Sequence, residues 1–186
     1  VTGTATKYIS PAWVGEKDIK VSLGNNGKLS VERPATLAVS KTVNAAAGFE
    51  DKLGEYQQKS FEFNFEFQNV ADGAYQAEVK NAEDKVVSDA DFKVSVASGK
   101  ATHSLKHGET LYIYGLPANA TYTVAEDLTT TPGFTSQVTS GTAEDDLAAG
   151  RTAAVEFTNT YQAASIDLDA GTIGVKKNFT GRDWRD

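Results

Sequence analysis

FEFNFEFQ, residues 61–68, alternates four phenylalanines, Phe61, Phe63, Phe65 and Phe67, with Glu62, Asn64, Glu66 and Gln68. Successive side chains of a strand point to opposite faces, so this octapeptide is a half-buried antiparallel strand, aromatic inward and polar outward. Working outward, similar short runs recur over 75–80, 92–97, 101–106, 109–115, 121–128, 134–140 and 152–161. Turn residues separate them at Asp72-Gly73, Ser98-Gly99, His107-Gly108, Pro132-Gly133 and Ser140-Gly141. Many short strands with turn punctuation describe an all-β sandwich, not an array of βαβ units. Residues 45–58 and 143–149 lack the alternation and read as short helix or irregular loop.

Three strands break their own inward parity with one polar residue each. Lys41 interrupts Leu37, Val39 and Val43; Glu126 interrupts Tyr122, Val124 and Leu128; Asn159 interrupts Val155, Phe157 and Tyr161. A charge buried alone is very costly, so a core-facing Lys or Glu needs a partner or a purpose. These three residue types are the ingredients of one reaction, transfer of the asparagine acyl group to the lysine amine with the carboxyl as proton shuttle. Burial lowers a lysine pKa and raises a glutamate pKa, which allows a neutral amine beside a neutral acid. The protonated Glu126 is then expected to hydrogen-bond the Asn159 carbonyl oxygen and to carry protons as ammonia leaves. An ordinary Lys–Glu ion pair with a hydrogen-bonded asparagine is the plainer reading of the same parity.

Composition narrows the function classes. At 186 residues, 40% hydrophobic, the chain has room for one ordinary domain with flanking pieces or for two small ones. It has no cysteine, which excludes disulfides, thiol catalysis and zinc–thiolate sites. A net charge of −7 argues against nucleic acid or an anionic membrane as partner. No stretch approaches the roughly 20 apolar residues of a membrane-spanning helix, so no membrane insertion is expected in this segment. No signal-peptide pattern opens the chain, which places any targeting sequence outside it.

The flanks read as pieces of neighbouring modules. Ile19, Val21 and Leu23, then Gly24-Asn25-Asn26-Gly27, then Leu29 and Val31 form a hairpin pattern, and Arg33-Pro34 marks a junction. Near the other end TIGVKKNFTG, 172–181, echoes TLAVSKTVN, 36–44, and aligns Lys177 with Lys41. A strand motif repeated at domain spacing suggests tandem modules. The expected organisation is a tail of a preceding module over 1–34, the sandwich over 35–162, and a linker with the first strand of a following repeat over 163–186. Lys177 would be the crosslinking lysine of that following repeat, without partners here.

The segments TLAVSKTV, FEFNFEF, ETLYIYGLPANATYTVAED and VEFTNTY, in this order, resemble the isopeptide-forming domains of Gram-positive pilins and surface proteins. These include the pilin isopeptide-linkage repeats and the related collagen-adhesin B-type modules; the likeness runs over 35–162, and GVKKNFTGRDW resembles the opening of another repeat. The resemblance implies an immunoglobulin-like β-sandwich whose first and last strands lie side by side. It implies an intramolecular isopeptide bond from Lys41 to Asn159, catalysed by Glu126, the same residues that parity selects. The implied function is a structural module of a cell-wall-anchored surface or pilus protein, extracellular on a Gram-positive bacterium, with neighbouring repeats of the same protein as partners. The crosslinking is a single autocatalytic event, not turnover, and needs no cofactor. The alternative is a ligand-binding adhesin domain contacting host protein or glycan.

Weaker signals yield to plainer readings. His103 and His107 lie on strand and turn, where their spacing makes no common face, and read as surface histidines and not as a metal site. Glu144, Asp145, Asp146, Asp167 and Asp169 lack calcium-loop spacing and read as solvated acids. Asn119 and Asn178 sit in glycosylation sequons, uninformative in a bacterial protein. Leu116-Pro117 falls short of a sortase signal.

Overall fold

The computed structural model describes residues 20–23 and 27–162. Strands β1 (Lys20–Leu23) and β2 (Leu29–Glu32) pair antiparallel as the expected hairpin, with Val21 level with Val31. All remaining strands lie between Ala35 and Tyr161 and form two sheets.

Chain order runs β3 (Ala35–Ala45), a 3-10 turn (Glu50–Lys52), α1 (Leu53–Gln57), β4 (Phe61–Gln68), β5 (Gly73–Lys80) and β6 (Lys93–Val96). It continues with β7 (Lys100–Leu105), β8 (Thr110–Leu116), β9 (Thr121–Asp127), β10 (Phe134–Gly141), β11 (Glu144–Asp146) and β12 (Thr152–Tyr161). One sheet has the order β10-β12-β3-β8-β5-β6, the other β11-β9-β4-β7. Every described pairing is antiparallel except one: β3 and β12, the first and last strands of the sandwich, run parallel side by side from Thr36/Thr152 to Ala45/Tyr161.

The core forms where the inward parities of both sheets meet. Phe61, Phe63 and Phe65 of β4 are buried while Glu62 and Glu66 are exposed, the outcome that the alternation dictates. Leu37, Val39 and Val43 of β3, Leu111 and Ile113 of β8, Val124 of β9, and Val155 and Phe157 of β12 fill the opposing positions. Residues 46–58 close one end. Their Tyr56 stacks on Tyr161 at 4.1 Å and meets Phe134 edge-on, so an aromatic cluster covers that end.

Two local expectations change. Residues 143–149 contain the edge strand β11, not a helix or loop: Glu144, Asp145 and Asp146 pair with Thr123, Tyr122 and Thr121. Three consecutive acids have poor strand propensity, but the flanking backbone bonds Val124 N–H to Ala143 O and Leu147 N–H to Ala120 O, with Leu147 buried, hold the segment extended. Ser140-Gly141 is not a turn between strands but the end of β10, beyond an irregularity between Val138 and Ser140. Gly141 has φ +71°, and a Cβ there would lie 1.9 Å from the Ala154 carbonyl oxygen, so only glycine fits.

Candidate functional site

Three strands aim the site into the interior. Lys41 on β3 is level with Phe157 of β12, and Asn159 follows two residues later on the same inward face, level with Val43. Parallel adjacency therefore sets the lysine and the asparagine side by side in one sheet. Glu126 on β9, level with Phe63 of β4, approaches from the other sheet. Lys41 and Asn159 are 1% and 0% exposed, and the Glu126 side chain is 1% exposed.

The side chains converge on one carboxylate oxygen. Lys41 Nζ lies 2.7 Å from Glu126 Oε1, and Asn159 Nδ2 donates to the same Oε1 at 2.7 Å. The lysine contact has hydrogen-bond length, but the amine is not aligned along a hydrogen-bonding direction, so Nζ remains without a well-directed partner. Asn159 Oδ1 is also buried without a partner. The sequence reading expected the carbonyl oxygen to face Glu126; the amide instead presents its nitrogen. Oxygen and nitrogen exchange places on a half-turn of the amide, and each orientation leaves the other atom unpaired.

The surroundings favour a neutral amine. Lys41 Nζ stands 4.5 Å from the Phe61 ring centroid and 5.7 Å from that of Phe63. Phe63 packs edge-on against Phe157, and Phe61 against Phe134, each at 5.1 Å. Burial pushes the Lys41 amine down from 10.5 to about 8, outweighing the close contact and charge of Glu126, which pull the other way. A lysine near 8 has an appreciable neutral fraction at ordinary pH, and the free base is the nucleophile.

One participant escaped sequence reading. Ser136 Oγ donates to Glu126 Oε2 at 2.5 Å, so the second carboxylate oxygen is held as well. Ser136 lies on β10 directly opposite Asn159. Its sequence signal was present: Phe134, Ser136, Val138 is a fourth inward parity interrupted by a polar residue.

Other candidates resolve differently. His107 is not a free surface histidine: its Nδ1 accepts from Val43 N–H at 3.0 Å, extending the β3 ladder where β8 has ended. His103 packs on Phe92 at 5.1 Å, and burial pushes its pKa down. Among the described residues no group of three or more His, Cys, Asp or Glu could hold a metal ion. Likewise, no helix among them is long and apolar enough to cross a membrane. Lys177 and the rest of its repeat-like segment, with Asp167, Asp169 and Asn178, lie outside the described residues.

Comparison with known proteins gives the following. Residues 35–161 match a protein family described as "Domain of unknown function (DUF7601)". No curated protein matches the chain. A pilus-presented adhesin of Streptococcus pyogenes, Spy0125 (Cpa), is similar over 70% of this chain and 28% of its own, with TM-score 0.50 and 24% identity. The major pilin from Streptococcus pyogenes is similar over 78% of this chain and 61% of its own, with TM-score 0.52 and 16% identity. The chain thus spans less than two thirds of either. At these identities the likeness is one of fold, and the fold is the immunoglobulin-like β-sandwich expected from the strand pattern and the resemblance.

Proposed function

This chain belongs to the DUF7601 family, and from that premise we propose that it is a structural module of a Gram-positive cell-surface or pilus protein, stiffened by an autocatalytic isopeptide bond between Lys41 and Asn159. One observation carries the reading: Glu126 Oε1 lies 2.7 Å from both Lys41 Nζ and Asn159 Nδ2. Nucleophile, proton carrier and leaving group therefore share one point in a water-poor interior. The ordered sequence motifs and the sandwich shared with a pilin and a pilus adhesin support the same reading.

The chemistry balances with these side chains alone. The neutral Lys41 amine adds to Asn159 Cγ and gives one proton to Glu126. The C–N bond to Nδ2 breaks, Nδ2 takes up a proton from Glu126 and departs as ammonia, and an Nζ–Cγ amide remains. Glu126 returns to its starting state, while Lys41 and Asn159 are consumed. The sheets hold the reactants together before reaction, so proximity replaces collision.

In this reading 35–162 is the crosslinked module, with 1–34 and 163–186 belonging to its neighbours in a longer array. Lys177 would be the corresponding lysine of the next repeat. The natural partners are adjoining repeats and other subunits of the same surface assembly. An adhesin role would engage a different region, such as the shallow groove of about 350 Å³ lined by Val87, Phe92 and His103 next to the exposed Val86.

Intact mass under denaturing conditions tests the proposal. The expected wild-type mass is one ammonia below that of the encoded chain, and Glu126→Ala should restore the full value. A full-mass wild type overturns the crosslink.

A further inference from the structure

We infer that Ser136 is the positioning residue of the crosslinking reaction, holding the Glu126 carboxyl by Oε2 so that Oε1 faces both reacting nitrogens. The inference rests on the function proposed above.

The last torsion of a glutamate is broad and about two-fold, so burial of the carboxyl does not by itself decide where its two oxygens point. The reaction needs that decision, because one oxygen must stand within reach of the attacking amine and of the departing nitrogen. Oε1 has both contacts, at 2.7 Å each. The remaining oxygen, Oε2, takes the Ser136 hydroxyl at 2.5 Å, a short hydrogen bond. With that donor gone, Oε2 would be a buried acceptor without its partner, and the carboxyl would lose the contact that fixes its rotation.

Placement makes Ser136 a specific choice. Ser136 and Asn159 are cross-strand neighbours, so the serine is tied by backbone register to the residue on which Glu126 acts. It interrupts the inward parity of Phe134 and Val138 at the rim of the sandwich, on a strand at the edge of its sheet. The residue is exposed while the carboxyl it holds is 1% exposed. An exposed edge serine contributes little packing, so its value lies in the hydrogen bond.

The test follows the rate of ammonia loss in the full chain. Protein is made in a short cell-free pulse, quenched in denaturant at intervals and weighed intact. Ser136→Ala is expected to slow bond formation about tenfold, the usual worth of a hydrogen bond to a charged group, while Ser136→Thr, which keeps the hydroxyl, stays near the wild-type rate. To separate this from folding, Asn159→Ala/Ser136→Ala should melt only a few degrees below Asn159→Ala, neither able to crosslink and both fully folded at the temperature of the pulse. A wild-type rate in Ser136→Ala overturns the assignment. It also fails if Ser136→Thr is as slow as Ser136→Ala, or if the double variant is already partly unfolded at the temperature of the pulse. A wild type at full mass is a different result: it removes the parent reading itself.

Discussion

Lys41 Nζ lies 2.7 Å from Glu126 Oε1 with the two side chains 0% and 1% exposed, an ion pair almost wholly withdrawn from water. Such a pair is a poor device for stability alone, because well-packed apolar residues of similar volume serve as well or better. The cost grows with Asn159, whose Oδ1 is buried unpaired beside it. The proposed reaction would use all three groups gathered at this point, the amine, the carboxyl and the carboxamide. Consumption of the amine would also replace a costly buried ammonium with a neutral amide.

Preventing the reaction should therefore lower stability well beyond the loss of an ordinary side chain. A bond between positions 41 and 159 closes a loop of about 120 residues, worth about 5 kcal/mol by the loop-entropy relation for crosslinks. Asn159→Ala is expected to melt roughly 15–20 °C below wild type. Calorimetry of the two proteins checks this, and a difference of only a few degrees would contradict a crosslinked wild type.

The pH dependence should differ between the same two proteins. In Asn159→Ala the Lys41 amine survives, with its pKa lowered to about 8 in the fold against 10.5 for an ordinary lysine. Between these values the unfolded chain binds more protons than the folded one, so stability rises with pH across that window. Below about pH 8 both states hold the proton, and this contribution is flat at its minimum. In a crosslinked wild type Lys41 would be an amide with no proton to exchange. Chemical denaturation from pH 7 to 10.5 should show a rise specific to Asn159→Ala; parallel curves would count against it.

Alternation alone made much of this architecture legible. FEFNFEFQ reads as an amphipathic strand in any context, and its four phenylalanines are the buried ones. Lys41, Glu126 and Asn159 stood out because Lys and Glu are expensive at inward positions and Asn is unusual there. Ser136 did not stand out, since a serine on an edge strand costs little wherever it points. Its role depends on β10 pairing with β12, a long-range relation that no local pattern encodes. The strand at Glu144–Asp146 was hidden for a related reason, because pairing with β9 overrides the poor propensity of three acids. The orientation of the Asn159 amide is set by its contact with Glu126 and has no counterpart in residue order.

Mechanical behaviour offers the most direct separation of a shaft module from an ordinary sandwich. Because β3 and β12 are parallel neighbours, the chain enters at Ala35 and leaves at Tyr161, at opposite ends of that strand pair. Tension between those ends shears one strand along the other. Without a covalent bridge, rupture of the ladder would release residues 41–159 and lengthen the chain by about 400 Å at roughly 3.4 Å per residue. With the bridge, force passes from the first turns of β3 through the Lys41–Asn159 amide into the last residues of β12. Everything between is bypassed, and only the few residues outside the bond can extend. Single-molecule pulling on the sandwich through its two ends should show no long unfolding step in wild type and a step near 400 Å in Glu126→Ala, in which the bond cannot form. A long step in wild type at forces typical of unlinked domains would rule out a load-bearing crosslink.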